Sequence, residues 1–235
     1  MTHTARATVV PRPRTWALKV TMAVTGIILV LFIALHLFGN MKAYIGPAEF
    51  DSYALWLRHA GEPLIPAGGV LWTFRITMAV VLVIHVYGAA TLWLRARRAR
   101  GPYRAHRSGW RSFLASLMPL TGVLIVVFLV LHICDLTGGL APIATANFTP
   151  LEEGGSPYAS LIASLSRPWM AAIYGGVMVL LSAHVAHGIT TAVQDFGAMG
   201  YRWRAVASAI AGVLALVVLV GNASLPLAIQ LGVLA

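Results

Sequence analysis

Four histidines, His36, His85, His132 and His184, fall inside apolar stretches long enough to cross a membrane. An imidazole in hydrocarbon is costly unless it has a partner, so each marks a functional position. They occur one per stretch on four successive stretches, which as helices would run alternately up and down the bilayer. Such an order suggests two pairs. Two facing histidines in a helix bundle are what a b-type haem needs for its axial ligands, and the chemistry would be electron transfer.

The elements that must hold these residues follow from composition. Of the 235 residues, 59% are hydrophobic and 10% charged, more apolar surface than a soluble domain of this size needs. Runs of about 20 apolar residues read as membrane-spanning helices. Five are expected, over 17–38, 70–94, 113–134, 168–193 and 205–231. The expected fold is an all-α membrane protein of a single domain, 1–235, with the first four helices forming a four-helix bundle. The first segment is longer than a signal-peptide core, and no small-x-small site follows before Asn40, so it is read as a retained helix.

Charge sets the orientation. The N-terminal lead (Arg6, Arg12, Arg14, Lys19), the second-to-third loop (Arg95, Arg97, Arg98, Arg100, Arg104, Arg107, Arg111) and the fourth-to-fifth loop (Arg202, Arg204) carry 13 of the 17 basic residues. Six of the seven acids (Glu49, Asp51, Glu62, Asp135, Glu152, Glu153) fall on the other side. The positive-inside rule then places the N-terminus in the cytoplasm of a bacterial inner membrane and the C-terminus outside. The net charge of +10 is accounted for by this rule and by anionic headgroups, without nucleic acid. The basic face could also dock a soluble partner. A single cysteine, Cys134, excludes an internal disulfide and a cysteine-held iron–sulfur cluster. Asn147-Phe148-Thr149 matches a glycosylation sequon and is read as chance.

Segments one and three repeat. Thr25-Gly26, Phe32, Leu35 and His36 recur as Thr121-Gly122, Phe128, Leu131 and His132, each offset by 96 residues. Segments two and four match more weakly, through His85-Val86 and His184-Val185. Two similar helical hairpins are implied. Depth then decides the pairing, since a helix rises about 1.5 Å per residue. His36 lies 20 residues beyond Trp16 and His132 lies 22 beyond Trp110, both at about 30 Å from the inner edge. His85 lies 10 residues before Arg95 and His184 lies 11 before Asp195, both at about 15 Å. The expected pairs are His36 with His132 toward the outer face and His85 with His184 toward the inner face, two haems about 15 Å apart along the normal.

Other polar residues have two readings each. His187, three residues from His184, is an alternative ligand, a hydrogen-bonding neighbour of one, or a residue at the aqueous boundary. Arg75 suits a haem propionate, with snorkelling to the outer interface as the alternative. Arg167 is read as interfacial. Gly39, Gly88 and Gly188 follow three of the histidines closely and suit helix packing better than close approach of a macrocycle. His3, His59 and His106 are read as solvated. Trp16, Trp72, Trp110, Trp169, Tyr201 and Trp203 are read as an aromatic belt.

Taken together, these residues resemble the single-chain di-haem cytochrome b anchors of succinate:menaquinone oxidoreductases and quinol:fumarate reductases. Met118-Pro119-Leu120-Thr121-Gly122 through His132 looks like the third helix of that family. His184 through His187-Gly188, ending Gln194-Asp195-Phe196-Gly197, is similar to its fourth. The spacing from His184 to Gly188 and Asp195 also resembles the haem-binding helix of two-chain anchors, which favours His184 over His187. The resemblance implies a flavoprotein that oxidises succinate and an iron–sulfur subunit docked on the cytoplasmic face. The anchor would pass electrons through two b haems to menaquinone, in the respiratory chain and tricarboxylic acid cycle, within a complex that could form higher oligomers. The chain itself has no arginine-rich dicarboxylate pocket or flavin-binding glycine fingerprint, so it is not expected to bind succinate. No glutamate lies inside a segment, unlike some relatives, which leaves the quinone site and any proton path unassigned. The alternatives are a fumarate reductase anchor, a haem b anchor of a hydrogenase or formate dehydrogenase, and a haem-free membrane transporter.

Overall fold

A computed structural model describes residues 13–100, 109–198 and 200–234. Arg6, Arg12, Arg104 and Arg107, with His3 and His106, lie outside the described residues. The described residues form helices α1 (Thr15–Met41), α2 (Pro47–His59), α3 (Gly69–Arg100), α4 (Trp110–Leu136), α5 (Pro157–Leu165), α6 (Pro168–Asp195) and α7 (Tyr201–Gln230), with no strand among them. Five are long and apolar enough to cross a membrane: Thr15–Tyr44, Gly69–Ala99, Ala115–Leu136, Pro168–Asp195 and Tyr201–Gln230. The protein is therefore an all-α, multi-pass membrane protein. In hydrocarbon a helix satisfies its own backbone hydrogen bonds, which is why long apolar runs settle on this element. Side chains such as Leu31, Val83, Val127 and Val213 point outward, as lipid-facing positions should.

Two short helices, α2 and α5, occupy what the sequence reading leaves as loops. Their starts were written locally: Pro47 and Pro157 each open a helix, where the missing N–H costs nothing. The Ser156 hydroxyl caps α5 by accepting from the Ala159 N–H at 3.0 Å. Asp51 of α2 accepts from the Tyr158 N–H at 2.8 Å and from the Ser156 hydroxyl at 2.5 Å. Arg58 pairs with Glu152 across the same junction. These bonds join the two short helices over the acid-rich end of the bundle, where Leu165, Met170, Tyr158, Tyr174, Leu225 and Ile229 form the main buried cluster.

Among the long helices, α6 is the most buried, and its contact with α7 is the most extensive. Helix α1 packs on α3 and α6, α4 packs on α6, and α3 meets α4 at few residues. Small residues permit the close approaches, as is usual between membrane helices. A Cβ on Gly88 of α3 would lie 2.8 Å from Met22 Cγ of α1, and one on Gly221 of α7 would lie 2.7 Å from Leu37 of α1. Polar ties close both ends. Asn40 donates to Asn222 between α1 and α7 at 3.1 Å. At the basic end Asp195 pairs with Lys19 at 3.1 Å.

Candidate functional site

The four segment histidines lie on α1, α3, α4 and α6. Toward the acidic end, the rings of His36 and His132 are 5.8 Å apart, centroid to centroid, and mutually perpendicular. The repeated phenylalanines explain how each ring is seated. Phe32 packs on His36 at 5.5 Å, and Phe128 packs on His132 at 5.8 Å, each one turn earlier on the same helix. Toward the basic end, His85 sits against Thr25 and Gly26 of α1, and His184 against Thr121 and Gly122 of α4. The structure thus brings the His36 and His132 rings together.

The Thr-Gly repeat has a spatial meaning. The Thr25 hydroxyl of α1 lies 3.1 Å from Nδ1 of His85 on α3. The Thr121 hydroxyl of α4 lies 3.1 Å from Nδ1 of His184 on α6. Each hydroxyl also reaches carbonyls of its own preceding turn: Thr21 at 2.8 Å and Met22 at 3.1 Å for Thr25, Leu117 and Met118 at 3.1 Å for Thr121. A hydroxyl has one hydrogen; when it is donated to a carbonyl of its own turn, the oxygen accepts from the histidine Nδ1–H. The Nε2 lone pair of each ring is then left for a ligand, the usual means of fixing a metal-binding tautomer. The neighbouring glycines leave room beside the same rings. A Cβ on Gly26 would lie 3.4 Å from His85 Cε1, and one on Gly122 would lie 3.6 Å from His184 Cε1.

His132 is held differently. Its Nδ1 is 3.1 Å from the Tyr174 hydroxyl, which donates to Asp135 Oδ2 at 3.1 Å. Asp135 is 1% exposed, and its other oxygen pairs with Arg167 at 2.7 Å. Ser164 donates to the same carboxylate at 2.5 Å. An ion-paired carboxylate only accepts, so Tyr174 donates to Asp135 and accepts from His132 Nδ1–H. Again Nε2 is left for a ligand.

Sequence reasoning missed Tyr174 and Asp135. Asp135, read from the sequence only as one of the acids on the side opposite the basic residues, is buried at the end of α4. Arg167 needs the matching correction. Its guanidinium does lie over Trp169 at 5.0 Å, yet it also turns inward to Asp135 and to the Ile143 carbonyl at 2.7 Å. The signal lay in the spacing, because Asp135 is one turn beyond His132. Arg75 is exposed, its guanidinium 5.1 Å over the Trp72 ring. His187 is half-buried, and its carbonyl accepts from the Thr190 and Thr191 hydroxyls. His59 pairs with Glu62 at 3.0 Å among exposed residues. Gly39 and Gly88 serve packing, against Tyr53 and Met22, while a Cβ on Gly188 would meet nothing within 4 Å.

Among the described residues no three His, Cys, Asp or Glu side chains converge as a metal centre. Histidines in twos fit a metal whose remaining ligands come from a macrocycle. Two metal–imidazole bonds of about 2 Å, each with about 1 Å more from nitrogen to ring centre, need centroids about 6 Å apart, close to the 5.8 Å between His36 and His132. In number and spacing the His36 and His132 rings suit the two axial ligands of a haem.

Fold and site define a membrane-embedded helical bundle with a close pair of histidine rings and three histidines whose Nδ1 meets a hydroxyl of a neighbouring helix. A family model described as succinate dehydrogenase/fumarate reductase transmembrane subunit matches residues 95–222, from the end of α3 into α7. The chain belongs to that family. Neither the search of curated proteins nor the search of solved structures returned a match. Membership makes the chain a membrane anchor of a succinate dehydrogenase or fumarate reductase complex, with soluble subunits and the lipid bilayer as its partners.

Proposed function

We propose that the chain is a di-haem cytochrome b anchor, with His36 and His132 as the ligands of the outer haem and His85 and His184 as those of the inner. The observation that carries this reading is that Nδ1 of three of the four rings lies 3.1 Å from a hydroxyl that has another acceptor for its own hydrogen, an arrangement in which Nδ1 carries the proton and Nε2 is left for a ligand. When bound, two b haems would supply one-electron carriers between the iron–sulfur subunit and menaquinone. The chain's own residues do the rest. Thr25 and Thr121 hold the inner rings, and Phe32 and Phe128 seat the outer ones. The apolar helices keep water away. Arg75 is the candidate counter-ion for a propionate, since it lies in the outer half of α3 with no carboxylate bonded to it among the described residues. His187 is read as a neighbour of the ligand His184.

The proposed orientation follows charge, with the N-terminus and the basic ends of α3 and α7 in the bacterial cytoplasm. The iron–sulfur subunit, with the flavoprotein on it, then docks nearest the His85/His184 pair. The test is a pyridine haemochrome assay on the purified complex. Two haems b per chain are expected; one or none overturns the reading.

A further inference from the structure

The two halves of the repeat match around the inner histidines and diverge around the outer ones. Asp135 sits three residues after His132, and the 96-residue offset places Gly39 at the corresponding position after His36. Tyr174 sits ten residues before His184, and the position ten before His85 is Arg75. Only the second half therefore supplies a phenol and a carboxylate at this level.

Resting on the di-haem reading above, we infer that Tyr174 is a positioning residue for His132, held in place by the Asp135–Arg167 pair. Three observations converge on it. The Tyr174 hydroxyl lies between His132 Nδ1 and Asp135 Oδ2, at 3.1 Å from each. Asp135 is fully buried and fixed by Arg167 and Ser164, so it cannot turn away. The Tyr174 ring is itself clamped edge-on by Phe128 at 4.9 Å. Burial of an aspartate this deep is costly unless its bonds are complete, and here they are completed by a residue that touches the ligand. The consequence for His132 is a fixed Nδ1–H tautomer and a more basic Nε2, as outer-shell carboxylates confer on metal-bound imidazoles. A more basic ligand favours the oxidised metal. The inner histidines meet a threonine hydroxyl in place of a phenol tied to a buried carboxylate, and lack this push.

The test is potentiometric titration with electron paramagnetic resonance on the whole purified complex. In Tyr174→Phe, one haem should shift toward reduction by about tenfold in its equilibrium constant, about 59 mV for a one-electron couple, with its low-spin signal altered. Thr121→Val should move the other haem instead. Ser182→Ala, which removes a buried hydroxyl bonded only to the Met178 carbonyl of its own helix, should move neither. Loss of one haem from Tyr174→Phe, with both kept in Ser182→Ala, also supports the inference. Unmoved potentials in Tyr174→Phe overturn it, as does a shift of the same haem that Thr121→Val moves. Parallel losses in Tyr174→Phe and Ser182→Ala overturn it too, since any buried hydroxyl would then matter equally. A wild-type complex without two haems overturns the parent reading and this one with it. Two haems with unmoved potentials overturn this one alone.

Discussion

Thr121 stands behind His184 and not behind His187, though the two histidines are three residues apart on α6. A ligand needs its second nitrogen held, so His184→Ala should lose the inner haem while His187→Ala keeps it. Absorbance of the purified variants decides this, and the reverse result would exchange the two roles. His36→Ala and His132→Ala should each remove the other haem. Thr25→Val and Thr121→Val keep shape but remove the acceptor. Each should weaken haem retention by about 10–100-fold, read as the rate of haem loss to an apo-globin scavenger. At this scale the sequence was legible in one dimension only. Depth follows from counting residues, so His36 could be set level with His132 and His85 with His184. Azimuth does not follow from counting. Nothing in the order of residues says that the hydroxyl of Thr25 points at α3, or that Tyr174 reaches across to α4.

For the helices, length and hydropathy sufficed for the five spans and failed for α2 and α5. These two are amphipathic and short, and their stability comes from contact with each other and with the buried cluster beneath them. Asp51 and Asp135 show the difference between a half-buried tie and a fully buried one. Asp135→Asn leaves Arg167 without its counter-charge, and breaking a buried pair from one side typically costs about 3–5 kcal/mol. Asp51→Asn removes part of a helix cap, worth about 0.5–2 kcal/mol. Thermal midpoints in detergent should fall more for Asp135→Asn than for Asp51→Asn. Equal falls would mean that the Asp135–Arg167 pair is no more than a surface contact. Gly88→Leu tests the α1–α3 seam, because any side chain there collides with Met22. It should lower the midpoint further than Gly188→Leu, whose Cβ has open space.

For the molecule as a whole, the proposed orientation gives the arginines at the end of α3 a topological role, and docking is a second one that can be separated from it. Arg97 is exposed and lies 4.8 Å over the Trp93 ring, so its charge is held at the surface. The double variant Arg97→Glu, Arg98→Glu, if inserted in the normal orientation, should release the soluble subunits at lower salt than wild type. Unchanged co-purification at low and high salt would leave those charges with topology alone. Charge asymmetry was legible from the sequence because lipid reads it directly. The partner surface was not, because docking depends on shape that only the fold supplies.

The threonine braces act within a hairpin, since Thr25 and His85 belong to α1 and α3, and Thr121 and His184 to α4 and α6. The outer histidine contact lies between hairpins, since His36 meets His132, and the proposed inner pair of His85 and His184 would also draw one ligand from each. Biogenesis would inherit this division. Each hairpin can prepare its own inner histidine as it leaves the ribosome, before its sibling exists. The outer histidine and its partner wait for both. Cofactor supply then becomes a late checkpoint on the union of two finished modules. Chains made under haem starvation should retain helical content yet melt earlier in detergent than replete chains, and equal melting would remove the checkpoint.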